Sequence, residues 1–234
     1  MLVDCGSGLR GDAGGTVILP YLRGRGIRRI DVLVLTHPHE DHYGGAEAVL
    51  SSMPVGEIWI PEGIPPAAFG RAVRTCSDKV RWKSGGDRYM AGRAEVTVRG
   101  MGDPGAQHLV NERSLLLEIR HGSFTVWLPG DVERGPSAWG ESPRDKERGK
   151  RVLFLPHHGS PGAQPGEWIR TASPDFAVSQ NSDCFRMGNL LPSVEYFFLE
   201  NGAVTLWSDG ESVFIEQERR HSLWRLFLRL PPEE

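Results

Sequence analysis

The sequence reads HPHEDH at residues 37–42, directly after the apolar run DVLVLT. Such a run predicts a strand buried on both faces. In extended backbone, residues two apart point the same way, so His37 and His39 can converge on one cation. Asp41 and His42, at the bend into a predicted helix, then face a second cation beside the first. Imidazole and carboxylate ligands together favour Zn²⁺, Mn²⁺ or Fe²⁺ over Ca²⁺.

Two further predicted strands end in the same kinds of side chain. PGD at 129–131 closes a predicted hairpin and places the Asp131 carboxylate at its tip, where it can bridge two cations. PHHGS at 156–160 follows the apolar run RVLFL, and His157 or His158 can complete the ligand set of the second cation. Alone, a turn aspartate or a pair of histidines is more often structural. Together with HPHEDH, these strand ends predict one shared metal site.

Length and composition indicate one globular domain, predicted to span residues 1–217, with a C-terminal tail at 218–234. The formal net charge of −3 gives no general attraction to nucleic acid. Three widely spaced cysteines without a CxxC pair favour a reducing, cytoplasmic setting, and no run is long enough to span a bilayer. The apolar, arginine-containing stretch 222–230 is expected to pack on the domain rather than on a membrane or partner.

The order of the remaining elements indicates a layered αββα or α/β domain. A hairpin is predicted from 113–120 and 123–128, strands at 151–155 and 175–179, and a helix at 193–200.

These motifs resemble the metallo-β-lactamase superfamily, and the chain is similar within it to the C-terminal hydrolase domain of ComEC-type competence (DNA-uptake) proteins. LVDCGSG at 2–8, NERSL at 111–115 and GAVT at 202–205 extend the resemblance over most of the chain. It implies an αββα sandwich that lacks its first N-terminal strands, with an uncovered apolar face or strand edge near the N-terminus. It also implies two divalent metal ions, Zn²⁺ first and Mn²⁺ as the alternative.

The resemblance also assigns roles to residues of this chain. It places His37 and His39 on the first metal, Asp41 and His42 on the second, and Asp131 between the metals. One of His157 and His158 falls on the second metal, and the other contacts substrate or moves protons, so Asp41, His157 and His158 are the expected catalytic residues. Asp4 is implied to orient a metal-binding histidine by hydrogen bonding.

Two departures from the family pattern concern the ligand set. Many members supply a third histidine to the first metal, where this chain offers Asn111, with His108 as its rival. A histidine-rich phrase late in ComEC-type domains is replaced by MGNLLP at 187–192, which removes a metal-side or substrate-side group.

The resemblance implies a metal-dependent hydrolase that uses a hydroxide bound by both metals. We expect a phosphodiester substrate, either a small molecule or nucleic acid. Hydrolysis of a lactone, thioester or β-lactam on the same metals is one alternative. A non-enzymatic binding module with a degraded metal site is the other.

Overall fold

The computed structural model describes residues 1–9, 11–101, 110–134, 149–180 and 191–217. They form two stacked β-sheets flanked by helices and a separate two-stranded sheet. The first sheet is parallel, with its strands side by side in chain order: β1 (Leu2–Val3), β2 (Ile30–Val34), β3 (Val55–Pro61) and β4 (Val80–Lys83). The second sheet contains β5 (Arg88–Ala91), β6 (Ala94–Met101), β7 (Leu115–His121), β8 (Phe124–Leu128), β9 (Arg151–Phe154), β10 (Phe176–Ser179) and β11 (Glu195–Phe198). Its strands are neighbours in sequence order, antiparallel from β5 to β8 and parallel from β8 to β11.

Helices cover the outer faces of both sheets. On the first sheet, the core is closed by residues of α1 (Leu19–Gly24), α3 (Ala46–Ser52) and α4 (Gly70–Thr75). On the second sheet, α5 (Pro165–Ala172) buries Trp168 and Ile169 against the outer face. The short helix α2 (Glu40–Tyr43) lies in the loop that follows β2. The predicted αββα sandwich is therefore confirmed.

The inner core lies between the sheets and fixes the strand ends that carry the site. Val32 and Val34 of β2 point inward and pack with Leu115 and Leu117 of β7. Burying each such side chain stabilises the fold by about 1.5–3 kcal/mol. Because β2 and β7 are held face to face, the loops that follow β2 and precede β7 meet at the same end of the sandwich, where Leu115 N donates to Thr36 O.

The helix predicted at 193–200 is wrong, because this segment forms β11 and a following 3₁₀ turn. β11 pairs in parallel with β10 at the edge of the second sheet. Phe198 packs on the outer cluster and Phe197 on the inner one, so the aromatic side chains alternate between faces. Aromatic residues fit a pleated, half-buried surface, and tertiary packing outweighs the helical spacing read from the sequence.

β1 is the edge strand of the first sheet. Among the described strands β1 pairs with β2 alone. Beyond this edge, the inner face of the second sheet is partly covered by the hairpin β12 (Val204–Ser208) and β13 (Val213–Gln217). The predicted tail at 218–234 lies outside the described residues. No helix in the described part of the chain is long and apolar enough to cross a membrane.

Candidate metal centre

The loop after β2 delivers the HPHEDH side chains to one point. Thr36 and His37 are buried at the end of the strand. His39 has extended backbone and caps α2, so Asp41 and His42 turn with the helix towards the sheet ends. Gly45 allows this approach, since a Cβ built there would lie 2.3 Å from the Cys5 carbonyl oxygen. The loop therefore has room only for glycine at this position.

Asp4 lies beneath the loop and accepts three hydrogen bonds. Its Oδ1 accepts from Thr36 N at 2.8 Å and its Oδ2 from Thr36 Oγ1 at 2.8 Å. The same Oδ2 lies 2.7 Å from Nδ1 of His42, which therefore donates its proton to Asp4. This arrangement keeps the Nδ1 proton of His42 on the Asp4 side and turns its Nε2 towards the site, which is the usual role of a carboxylate behind a metal-binding histidine.

The first group of candidate ligands consists of His37, His39 and Asp131, whose donor atoms all lie within 4.8 Å of one another. His37 Nε2 is 3.1 Å from His39 Nδ1 and 3.8 Å from Asp131 Oδ2. His37 is fully buried, and its burial and the nearby His42 lower its pKa to about 4. A neutral imidazole with a free lone pair is the form that binds a metal.

The second group consists of Asp41, His42 and His158. The Nε2 atoms of His42 and His158 lie 3.3 Å apart, and His158 Nε2 is 3.2 Å from Asp41 Oδ2. Asp131 Oδ2 lies 3.2 Å from His42 Nε2 and 3.5 Å from His158 Nε2. The Asp131 carboxylate therefore contacts both groups, the position needed for a ligand shared by two cations.

A proton on His42 offsets part of the negative charge of the carboxylates in this cluster. Burial alone would lower the pKa of His42, but hydrogen bonds to Asp131 and Asp4 outweigh it and raise that pKa to about 10. Burial likewise opposes the ionised form of Asp131, yet His42 holds its pKa down at about 2. The proton on His42 Nε2 therefore lies next to Asp131, at the point where a divalent cation would bind. Divalent cations fit this set, because imidazole and carboxylate donors converge on it from three separate loops.

His157 and His158 take different directions from the 3₁₀ turn Pro156–Gly159. Both have positive φ, 46° and 59°, which is rare for residues with a Cβ. His158 joins the second ligand group. His157 instead turns its Nδ1 to within 3.0 Å of Glu133 Oε1, and its Nε2 lies 3.9 Å from Asp131 Oδ2.

Asn111 reaches the same corner of the site. Its Nδ2 donates to Glu133 Oε1 at 2.8 Å, while its Oδ1 is buried and has no hydrogen-bond partner among the described residues. A buried acceptor without a donor is costly, and a cation or a substrate hydroxyl would satisfy it. The rival His108 lies outside the described residues, as do residues 187–190 of the MGNLLP phrase.

Two glutamates at the site were not identified from the sequence. Glu40 accepts hydrogen bonds from Ser7 Oγ, Gly8 N and Leu9 N, each at 2.7 Å, and so ties the loop after β1 to α2. Glu133 lies two residues after Asp131 and joins Asn111 to His157. Glu40 lies inside the HPHEDH motif, which was a signal for its importance, whereas nothing in the sequence paired Glu133 with His157.

Comparison with known proteins agrees with this fold. The family model described as "Metallo-beta-lactamase superfamily" matches residues 1–164. The "Competence protein ComA" of Neisseria gonorrhoeae is 31% identical over 172 residues, which cover 72% of this chain and 22% of the relative. The "ComE operon protein 3" of Bacillus subtilis is 29% identical over 173 residues, covering 70% of this chain and 22% of the relative. The chain thus spans about a fifth of the length of these relatives.

A solved structure supports the fold alone. The chain superimposes on the metallo-beta-lactamase fold protein YhfI of Bacillus subtilis with a TM-score of 0.52. The sequences are 15% identical, and the match covers 92% of this chain and 86% of the other. The resemblance inferred from the three strand-end motifs is confirmed at the level of family.

Proposed function

The chain belongs to the metallo-β-lactamase superfamily, and we propose that it is a metal-dependent hydrolase of phosphodiester bonds, with nucleic acid among its candidate substrates. The observation that carries the proposal is the Asp131 carboxylate, which lies between two groups of candidate ligands. The substrate class is supported by the competence relatives and by the resemblance to ComEC-type proteins.

In this proposal, His37, His39 and Asp131 hold one divalent cation, and Asp41, His42, His158 and Asp131 hold the other. Zn²⁺ suits this donor set best, and Mn²⁺ is the alternative. Two such cations supply an activated water and neutralise charge that develops on the phosphoryl oxygens. The unpartnered Oδ1 of Asn111 completes the first ligand set or accepts a hydrogen bond from the substrate.

The remaining residues orient the ligands and move the proton. Asp4 keeps the Nδ1 proton of His42, so that Nε2 stays available as a ligand. As the water oxygen attacks phosphorus, that water releases a proton to solvent; the bond to the departing oxygen breaks, and the departing oxygen must take up a proton. In this proposal His157 donates that proton from Nε2, which lies 3.9 Å from Asp131 Oδ2, while its Nδ1 lies 3.0 Å from Glu133 Oε1.

The test is to strip the purified protein of metal, reload it with Zn²⁺ or Mn²⁺, and assay bis-p-nitrophenyl phosphate, single-stranded DNA and a simple lactone. We expect hydrolysis of the phosphodiester, and a loss of roughly a hundredfold or more in the Asp131→Asn and His158→Ala variants. His121→Ala is the control, since His121 ends β7 away from the site.

Two results would contradict the proposal. If the protein hydrolysed the lactone but neither phosphodiester, its substrates would be esters of carboxylic acids rather than phosphodiesters. Failure to retain metal, with folding unaffected by chelator, would identify a binding module without catalysis.

A further inference from the structure

The outward face of the β12–β13 hairpin carries a pair of exposed aromatic side chains. Trp207 on β12 lies directly opposite Phe214 on β13 in the antiparallel register. Trp207 is 44% exposed and Phe214 is 68% exposed. Residues that face each other across a hairpin point to the same side, so these two side chains form one aromatic patch. Burial of this patch against another surface would be favourable.

The layers of the fold indicate what kind of element would cover the aromatic patch. The residues that alternate with it pack on the inner face of the second sheet, namely Val204, Leu206, Val213 and Ile215. The hairpin therefore lies in the layer of the first sheet, and the patch faces the outer layer that contains α1, α3 and α4. Among the described residues, the cluster that these three helices close includes no residue of the hairpin. In this layered fold, the element that covers an apolar outer face is a helix.

The stretch that follows β13 in the chain has the sequence pattern of such a helix. Six of the eight residues at 223–230 (LWRLFLRL) are leucine, tryptophan or phenylalanine. Arg225 and Arg229 are one helical turn apart and border the apolar side. Apolar residues occupy the i, i+3, i+4 and i+7 positions of one helix face: Leu223, Leu226, Phe227 and Leu230.

The connection to this stretch is long enough to bring it to the aromatic patch. β13 ends at Gln217, and residues 218–221 span at most about 14 Å when fully extended. Phe214 lies about 10 Å back along the strand from Gln217. A helix that begins at residue 222 can therefore start beside the patch. Because the chain links the two, their effective concentration is high.

The charge beside the aromatic patch suits the same stretch. Glu216 lies two residues after Phe214, so it points to the same outward face of the hairpin, and it is exposed. A helix that packs its apolar side on the patch brings Arg225 or Arg229 near this carboxylate. Such an exposed ion pair adds little affinity but favours one orientation of the helix.

We propose that residues 222–230 pack on the outward face of the β12–β13 hairpin, with Trp207 and Phe214 as the docking surface. The docked stretch completes the outer layer beside the first sheet and holds the hairpin against the second sheet. This inference is independent of the proposed function, because it uses no residue of the candidate metal centre.

Hydrogen exchange of the full chain, followed by mass spectrometry, tests the docking. A short helix protects its amides only when it is packed on the protein, so exchange at 222–230 reports the packed state. In the parent, these amides should exchange roughly tenfold or more slowly than in an unstructured peptide. Trp207→Thr and Phe214→Thr retain a residue that suits a strand, and each should speed this exchange by roughly fivefold or more.

Two further variants separate docking from a general loss of structure. Trp82→Thr is the matched control, because Trp82 is also an exposed tryptophan on a strand, and its variant should exchange at 222–230 as the parent does. Phe227→Ser leaves the hairpin sequence intact and should also speed the exchange, whereas Arg225→Ser, at the polar side of the predicted helix, should not.

Three results would overturn the proposal. The first is fast exchange at 222–230 in the parent, or exchange that both hairpin variants leave unchanged. The second is protection that grows with protein concentration, which would assign the stretch to a second copy of the chain. The third is protection that appears only with vesicles of phosphatidylcholine and phosphatidylglycerol, which would assign it to a lipid surface.

Discussion

Replacing Asp4 by asparagine tests how the site keeps His42 ready for a metal. Asparagine has nearly the same shape and tolerates the positive φ of 57° found at this position. Its Oδ1 can still accept from Thr36 N. The amide nitrogen that replaces Oδ2, however, is a donor facing the Nδ1 proton of His42, which Asp4 accepts at 2.7 Å. His42 must then move its proton to Nε2, the atom that faces the other ligands.

The expected loss follows from that hydrogen bond. A hydrogen bond to a charged group contributes about 1.5–3 kcal/mol, and about 1.4 kcal/mol corresponds to a factor of ten. We therefore expect Asp4→Asn to bind Zn²⁺ roughly 10- to 100-fold more weakly, the range typical for residues that orient metal ligands. The affinity is measured by competition with a chromophoric chelator at fixed pH.

Asp12→Asn is the matched control. Asp12 also has a positive φ, and its exposed carboxylate accepts from a backbone amide, Gly15 N. Its variant should bind Zn²⁺ as the parent does. If Asp4→Asn stays within twofold of the parent while remaining folded, the orienting role of Asp4 is refuted.

Further predictions concern pH and the second sheet. Because the pKa of His42 is raised to about 10, a cation must displace the proton of His42 in order to bind. The affinity for Zn²⁺ should therefore rise about tenfold per pH unit between pH 7 and pH 9. An affinity that does not change with pH over this range would contradict this prediction. Glu118 is buried and paired with Arg99, so Glu118→Ala should lower the free energy of unfolding, measured in urea, by about 3 kcal/mol. The control is Glu95→Ala, which removes an exposed ion pair with Arg88 and should lower the free energy of unfolding by less than about 1 kcal/mol. Burial opposes ionisation of Glu118, but Arg99 keeps the pKa of Glu118 below its unfolded value. The stabilisation that the Glu118–Arg99 pair provides should therefore be present at neutral pH and be lost as the pH falls through the folded pKa. Equal urea midpoints at pH 7 and pH 4 would contradict this.

The strand-end motifs, together with the family resemblance that they carry, predicted the fold and brought together the side chains of both candidate ligand groups. Side chains that follow adjacent buried strands meet at one end of a sandwich, so HPHEDH, Asp131 and the His157–His158 pair could be expected to converge. The sequence could not decide between His157 and His158. Their directions depend on two successive residues with positive φ, which no residue preference predicts.

Other features depend on tertiary contacts that local patterns do not encode. The segment 193–200 has helical spacing, but parallel pairing with β10 makes Glu195–Phe198 a strand. Glu133 reaches His157 only because the β8 loop and the turn after β9 lie side by side.

Anomalous X-ray scattering from crystals of the metal-loaded protein, collected at the absorption edge of zinc or manganese, tests the central claim most directly. Two peaks are predicted, one among His37, His39 and Asp131 and the other among Asp41, His42, His158 and Asp131. A single peak, or peaks that do not contact the Asp131 carboxylate, would contradict a centre in which this aspartate is shared by two cations.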